Sequence, residues 1–259
     1  MATSVIDLQK FELGAIKSNR LILCIGRRGS GKSTLLRNLL YSLKDRVNYW
    51  IAITPTLDTE KEWLEFLPRC MIHRSLDKAM LAELLDWQDA VGRKAGGERR
   101  TVGLVWDDLM FQRNVLKGEA IRELFFNGRH LNIYWINTAQ YCMDTPADLR
   151  LNIDYCMTFY DRIPDNREKI RKYFCGTYTR AEFDATFKAA TADYRCMVID
   201  NVQSEVRWFK AEQGLPEFTL GDDVYWRIQR ALGRSEDQIM KAKQSRGVGE
   251  TVTVSLVDP

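Results

Sequence analysis

The stretch GRRGSGKST, residues 26–34, limits the folds open to this chain more than any other. It satisfies the spacing GxxxxGK[ST] through Gly26, Gly31, Lys32 and Ser33. Glycines at those positions let successive backbone N–H groups turn inward and form an anion nest at a helix N-terminus. The mechanism requires a strand before the loop and a helix after it, and both are legible. RLILCIG (20–26) is an apolar run ending in glycine, and Leu35, Leu36, Leu39, Leu40 and Leu43 form a stripe at helical spacing. We therefore expect Gly26, Arg27, Arg28, Gly29, Ser30, Gly31, Lys32, Ser33 and Thr34 to cradle the phosphates of ATP. Lys32 would reach the β- and γ-phosphates, and the Ser33 hydroxyl would ligate Mg²⁺.

Strands and helices alternate along the rest of the chain. VNYWIAIT (47–54), the short CMIH, TVGLVW (101–106), LNIYWINT (131–138) and IDYCMTFY (153–160) read as strands. Helices are expected from Asp58, from Leu76, over 117–127, and over roughly 164–175 and 180–191. YRCMVIDN and EVRWFK (194–210) read as a closing β-hairpin. This rhythm predicts an α/β, three-layer P-loop NTPase fold with a mostly parallel central sheet. We place an ATPase motor domain at 1–211 and a C-terminal extension at 212–259. The extension comprises an amphipathic helix over 222–243, a polar tail and the β-prone TVTVSLV, a helical appendage to the domain.

Composition narrows the partners without naming one. The 259 residues suffice for one large domain, and a net charge of +3 permits a nucleic-acid partner without requiring it. Six scattered cysteines with no CxxC pair, and only His73 and His130 beside them, argue for reduced thiols rather than a zinc site. No secretory signal is evident at the start, and no apolar run approaches the ~18–20 residues of a membrane helix. A protein without a membrane span, not secreted, is expected.

Asp107 and Asp108 close the TVGLVW strand. In a phosphate-loop site the first acid holds the magnesium shell and the second polarises the attacking water. Their distance in sequence from Lys32 leaves room for an extra strand–helix pair, which suggests the additional-strand ATPases. Gln140 ends the next strand, on the side where parallel sheets bind ligands. Arg129 lies at the other end of that strand, so it points away from its own phosphate loop and suits a finger supplied in trans to a neighbouring subunit. Arg150 is a second candidate for that role.

GRRGSGKS, LVWDD, FFNGRHLNIYWINTAQY, PADLRLNIDY and CMVIDN…WFKA occur in this order. Together they closely resemble the poxvirus-type DNA-packaging ATPases of large double-stranded DNA viruses, a branch of the FtsK–HerA superfamily, over roughly residues 13–211. The resemblance implies a RecA/FtsK-like fold and an ATP-driven translocase that pumps viral genomic DNA into a preformed capsid as a homo-oligomeric ring. It implies Asp107 as the magnesium acid, Asp108 as the catalytic acid, Gln140 as the polar sensor and Arg129 as the arginine finger, with Arg150 in a matching segment. Many relatives in the wider superfamily carry glutamate at the position of Asp108. The expected partners are double-stranded DNA, further copies of the chain, and a capsid or portal component. The expected location is the host cytoplasm at viral assembly sites, or the virion.

Two basic clusters are candidates for sequence-indifferent backbone contacts with DNA. The first is Arg93, Lys94, Arg99 and Arg100, and the second is Arg162, Arg167, Lys169, Arg171 and Lys172. Interspersed Asp161, Asp165 and Glu168 suit the second cluster equally to a solvated helix face. Two other functions share these parts: a helicase or segregation motor, and a nucleotide-gated virion assembly protein with little turnover.

Overall fold

The computed structural model describes residues 7–231 apart from 95, 110–115 and 229. Among these residues, eight strands form one sheet in the order β3-β2-β4-β5-β1-β6-β7-β8. The strands are β1 (Leu21–Ile25), β2 (Tyr49–Ile53), β3 (Ile72–His73), β4 (Val102–Asp107), β5 (Ile133–Ala139), β6 (Tyr155–Thr158), β7 (Arg195–Asp200) and β8 (Glu205–Lys210). The pairings from β3 through β6 are parallel, and the β7–β8 hairpin closes the sheet antiparallel. The phosphate-loop strand β1 and the acid-bearing strand β4 are separated by β5. This is the additional-strand arrangement expected from the sequence.

The helices are α1 (Lys32–Leu43), α2 (Leu57–Trp63), α3 (Lys78–Arg93), α4 (Glu119–Asn127), α5 (Ala147–Arg150), α6 (Pro164–Phe174) and α7 (Arg180–Ala190). They cover the sheet on both faces, which is why its strands read as continuous apolar runs. Leu21, Leu23 and Ile25 of β1 join the core beneath α3, α4 and α7, whereas Ile22 and Cys24 join the one beneath α1. Alternate residues thus serve opposite layers. The leucine stripe of α1 is buried throughout, against Trp50, Tyr134 and Ile136 among others. Five of the six cysteines are buried.

The region after residue 211 departs from expectation. It is not an appendage at its start but a strap across α1. The buried Asn38 side chain donates to the Glu212 carbonyl (2.9 Å) and accepts from the Glu212 N–H (3.0 Å). Phe218 stacks on Phe66 at 4.8 Å, Leu220 is fully buried, and the Tyr225 hydroxyl donates to the Trp50 carbonyl at 2.8 Å. Residues 223–228 are helical, as expected for the start of the 222–243 helix. Most of that helix, and TVTVSLV, lie outside the described residues. The physical reason for the departure is that α1 and β2 would otherwise expose leucine and tryptophan surface on this side. Leu220→Ala should therefore cost about 2–5 kcal/mol, the range for a fully buried leucine. Chemical denaturation can check this, since a substitution in a detachable appendage would leave the domain's midpoint unchanged.

Candidate active site

The phosphate loop is shaped by its glycines and tied down at both ends. Gly29 and Gly31 have φ of 76° and 105°, in the left-handed region that side chains rarely adopt. The Gly26 N–H donates to the Ala139 carbonyl at 3.0 Å, fixing the loop to the end of β5. The Arg27 guanidinium lies 3.2 Å from Asp161, which also accepts from the Ile163 N–H and the Asn166 amide, both at 2.8 Å. Arg27 thus holds the loop to the turn between β6 and α6. Gly31 is the N-cap of α1 and has no side chain to accept from the first turn. The N–H groups of that turn can therefore serve an anion. The Lys32 ammonium donates to the Gly26 and Arg27 carbonyls. Burial pushes its pKa down, while Asp108 and Asp107 pull it up.

The acid pair sits at the same edge of the sheet. Thr138 of β5 faces Asp107 across the parallel register, and its hydroxyl donates to the Asp107 carboxylate at 2.7 Å. The same hydroxyl accepts from the Asp108 N–H at 3.0 Å. One threonine therefore brackets both acids. Trp63 of α2 adds an indole N–H at 3.4 Å from the second Asp107 oxygen. Asp108 has φ of 56°, a left-handed conformation that aspartate and asparagine tolerate better than most residues. The Gln140 amide donates to Asp108 at 3.0 Å. Phosphate loop, Asp107, Asp108 and Gln140 thus lie at one edge of the sheet.

The Asp107 carboxyl is pushed above the ordinary aspartate range, first by burial. The Thr138 and Trp63 hydrogen bonds oppose that shift, the Asp108 charge adds to it, and Lys32 opposes it. A buried carboxylate beside a second one is a group that a divalent cation would stabilise. Ser33 and Asp107 line one cleft, so the donor set fits Mg²⁺.

The two arginines part company. Arg129 precedes β5 at the opposite edge of the sheet, a seven-residue strand away from Gln140. Such a strand spans roughly 20 Å, too far for its side chain to serve its own phosphate loop. Its guanidinium lies 3.1 Å from the buried Asp154, and its side chain keeps 44% of its exposure. Asp154 also lies 3.4 Å from Arg20 and accepts from the Leu21 N–H at 2.9 Å. Arg150 does not fit the expectation of a finger reaching outward. It is 6% exposed, lies 4.3 Å from the Tyr173 ring centroid, and donates to the Cys142 carbonyl at 3.4 Å and to the Met143 sulfur at 3.1 Å. A guanidinium packed this way holds the segment just after Gln140 and would have to leave its own fold to reach another subunit.

Of the second basic cluster, three members are engaged within the chain. Arg167 donates to the Asp161 and Arg162 carbonyls and lies 3.6 Å from Asp184. Arg171 is paired with Glu168, and Lys169 donates to the Tyr141 hydroxyl. In the first cluster Arg99 is folded onto the Gln88 carbonyl, while Arg93, Lys94 and Arg100 stay exposed, Arg93 paired with Asp89. Thr138 and Trp63 were missed in sequence. Thr138 could have been found, because it ends a strand two residues before Gln140. The Trp63 contact depends on where α2 packs and leaves no local signal.

The fold and this site define a P-loop NTPase fold of the additional-strand class. The sequence model of the family described as "Poxvirus A32 protein" matches residues 9–202. The chain belongs to that family. An uncharacterised protein of Acanthamoeba polyphaga mimivirus is 30% identical over 220 residues, covering 79% of this chain and 77% of that protein. An uncharacterised protein of Frog virus 3 is 26% identical over 223 residues, covering 83% and 68%. Among solved structures, the DNA-packaging ATPase of Sulfolobus turreted icosahedral virus aligns with a TM-score of 0.58 at 20% identity, over 76% of this chain and all of that one. The conjugation coupling protein TcpA of pCW3, solved with ATPγS, aligns at 0.52 and 16% identity, over 75% and 60%. At these identities the solved structures speak for the fold.

Proposed function

We propose that this protein is an ATPase that translocates double-stranded DNA into a preformed viral capsid, acting as a ring of identical subunits at assembly sites in the host cytoplasm. The observation that carries the proposal is the bracketed acid pair facing a phosphate loop, with Gln140 on the second acid. Nucleotide binding alone has no use for that second carboxylate. Membership of the A32 family and the fold shared with a viral DNA-packaging ATPase favour packaging over other uses of the same parts. Among the described residues no helix is long and apolar enough to cross a membrane.

In this reading the loop amides and Lys32 grip the β- and γ-phosphates of ATP. Ser33 and Asp107 hold Mg²⁺, which when bound neutralises phosphate charge as it develops. Asp108 accepts the proton of the attacking water, and Gln140 orients that water against the γ-phosphorus. Arg129 of a neighbouring subunit neutralises charge on the leaving group. Arg93, Lys94, Arg100, Arg162 and Lys172 are the exposed members of the basic clusters and suit contacts with the DNA backbone.

The test is steady-state ATP turnover of the purified protein with and without long double-stranded DNA. Turnover should rise severalfold with DNA of any sequence, and the gain should fade as salt increases, as backbone contacts demand. Turnover indifferent to DNA would instead favour a nucleotide-gated assembly protein.

A further inference from the structure

The strap after β8 does more than bury apolar surface. It walls one side of a cleft of roughly 390 Å³ that begins at Ser33 and Thr34 and runs outward between α1 and α2. We infer that this chamber receives the base and ribose of the bound nucleotide, with residues 212–215 as its outer wall. The inference rests on the phosphate-loop reading above and extends it to a segment beyond residue 202, where the family match ends.

The chamber is continuous with the phosphate loop, since Thr34 and Asp107 line its inner end. Its volume lies in the ~300–1,000 Å³ range of small-ligand pockets. Its chemistry changes along its length. At the inner end lie the loop and the first turn of α1, suited to anionic oxygens. Further out, Leu40 and Leu215 offer apolar surface, and Glu62, Glu212 and Gln213 offer hydrogen-bonding groups. Carboxylates at the outer end repel phosphate but can accept hydrogen bonds from ribose hydroxyls and an exocyclic amine. The polarity therefore orients a nucleoside triphosphate one way: phosphates inward, a neutral amine-bearing nucleoside outward.

The wall is also built to hold its place. Asn38 spends its amide on the Glu212 backbone in both directions and on the Thr34 carbonyl at 2.8 Å. Thr34 belongs to the phosphate loop, so one side chain joins that loop to the strap. Arg37 lies 4.9 Å from the Phe66 ring centroid and 3.6 Å from Glu65, joining α1 to the turn after α2.

The experiment compares ATP with inorganic tripolyphosphate, which has the phosphate chain and no nucleoside. Both are titrated by competition against a fluorescent nucleotide on the full-length protein, wild type and Leu215→Asp. In the variant, ATP should bind about tenfold more weakly, equivalent to about 1.4 kcal/mol, with tripolyphosphate unchanged within about twofold. ATP binding that is unaffected, or lost in parallel with tripolyphosphate, overturns the inference. A second measurement needs no variant: 8-azidoadenosine triphosphate, photolysed on the wild type, should label peptides containing residues 212–215 or 37–40. Labelling confined elsewhere overturns it. Failure of both ligands to bind the wild type would instead bring down the phosphate-loop reading, whereas absence of DNA-stimulated turnover would leave the chamber intact.

Discussion

Asp108→Asn is expected to bind ATP within a few-fold of wild type and to lose DNA-stimulated turnover by about 10²–10⁴-fold, the range for a positioned general base. Asparagine is the informative replacement. It tolerates the left-handed backbone at residue 108, keeps the N–H that donates to Thr138, and offers an oxygen to Gln140. The negative charge is lost, and with it the ability to take a proton. Alanine would add backbone strain at φ of 56°, and a loss of turnover could then come from a distorted strand end. Equilibrium nucleotide binding and single-turnover hydrolysis separate the two effects. Turnover within a few-fold of wild type would remove Asp108 from the chemistry and with it the case for a motor.

Arg129→Ala should leave each subunit able to bind ATP but lower turnover of the assembled ring by about 10³-fold or more, as loss of an arginine finger does. Because the cation would be lent to a neighbour, mutant subunits mixed with wild type should depress activity more than in proportion to their fraction. Strict proportionality would refute the inter-subunit role. A structural side effect is expected and can be told apart. Asp154 is pushed up by burial and held down by the Leu21 N–H, Arg129 and Arg20. Removing Arg129 raises it further. A carboxyl whose folded pKa exceeds its unfolded value destabilises the fold once ionised, so the variant's loss of stability should be least at acid pH and grow as pH rises through the folded pKa. Thermal melts of wild type and variant from acid to neutral pH would show this, and the inhibition of mixed rings should persist at pH values where the melts converge.

Some of the site was legible because it is written in consecutive residues. The loop from Gly26 to Thr34 needs a strand before it and a helix after it, and both carry their own apolar periodicity. Asp107, Asp108 and Gln140 were readable because parallel strands deliver their C-terminal ends to one edge, so a polar residue closing an apolar run is already placed. In sequence Arg129, ahead of a strand, was the first candidate for the finger and Arg150 the second. Packing divides them: one stays half in solvent beside Asp154, the other is stacked on Tyr173. The basic run 162–172 was ambiguous for the same reason, and its arginines at 167 and 171 find carbonyls and carboxylates of their own chain.

The residues after 211 show where local reading stops. Residues 212–221 follow no period that announces a docking site, and the sequence suggested an appendage. The surface they cover, on α1, α2 and β2, is assembled from segments far apart in the chain. By itself the sequence determined the phosphate loop, the acid pair and the alternating layers, because each follows from backbone geometry and periodicity over a few neighbouring residues. Only the tertiary structure decided that Thr138 brackets the acids, that Arg150 is committed within its own chain, and that the strap walls the cleft running out from Ser33 and Thr34. These depend on distances between remote segments, which packing sets and no local pattern encodes.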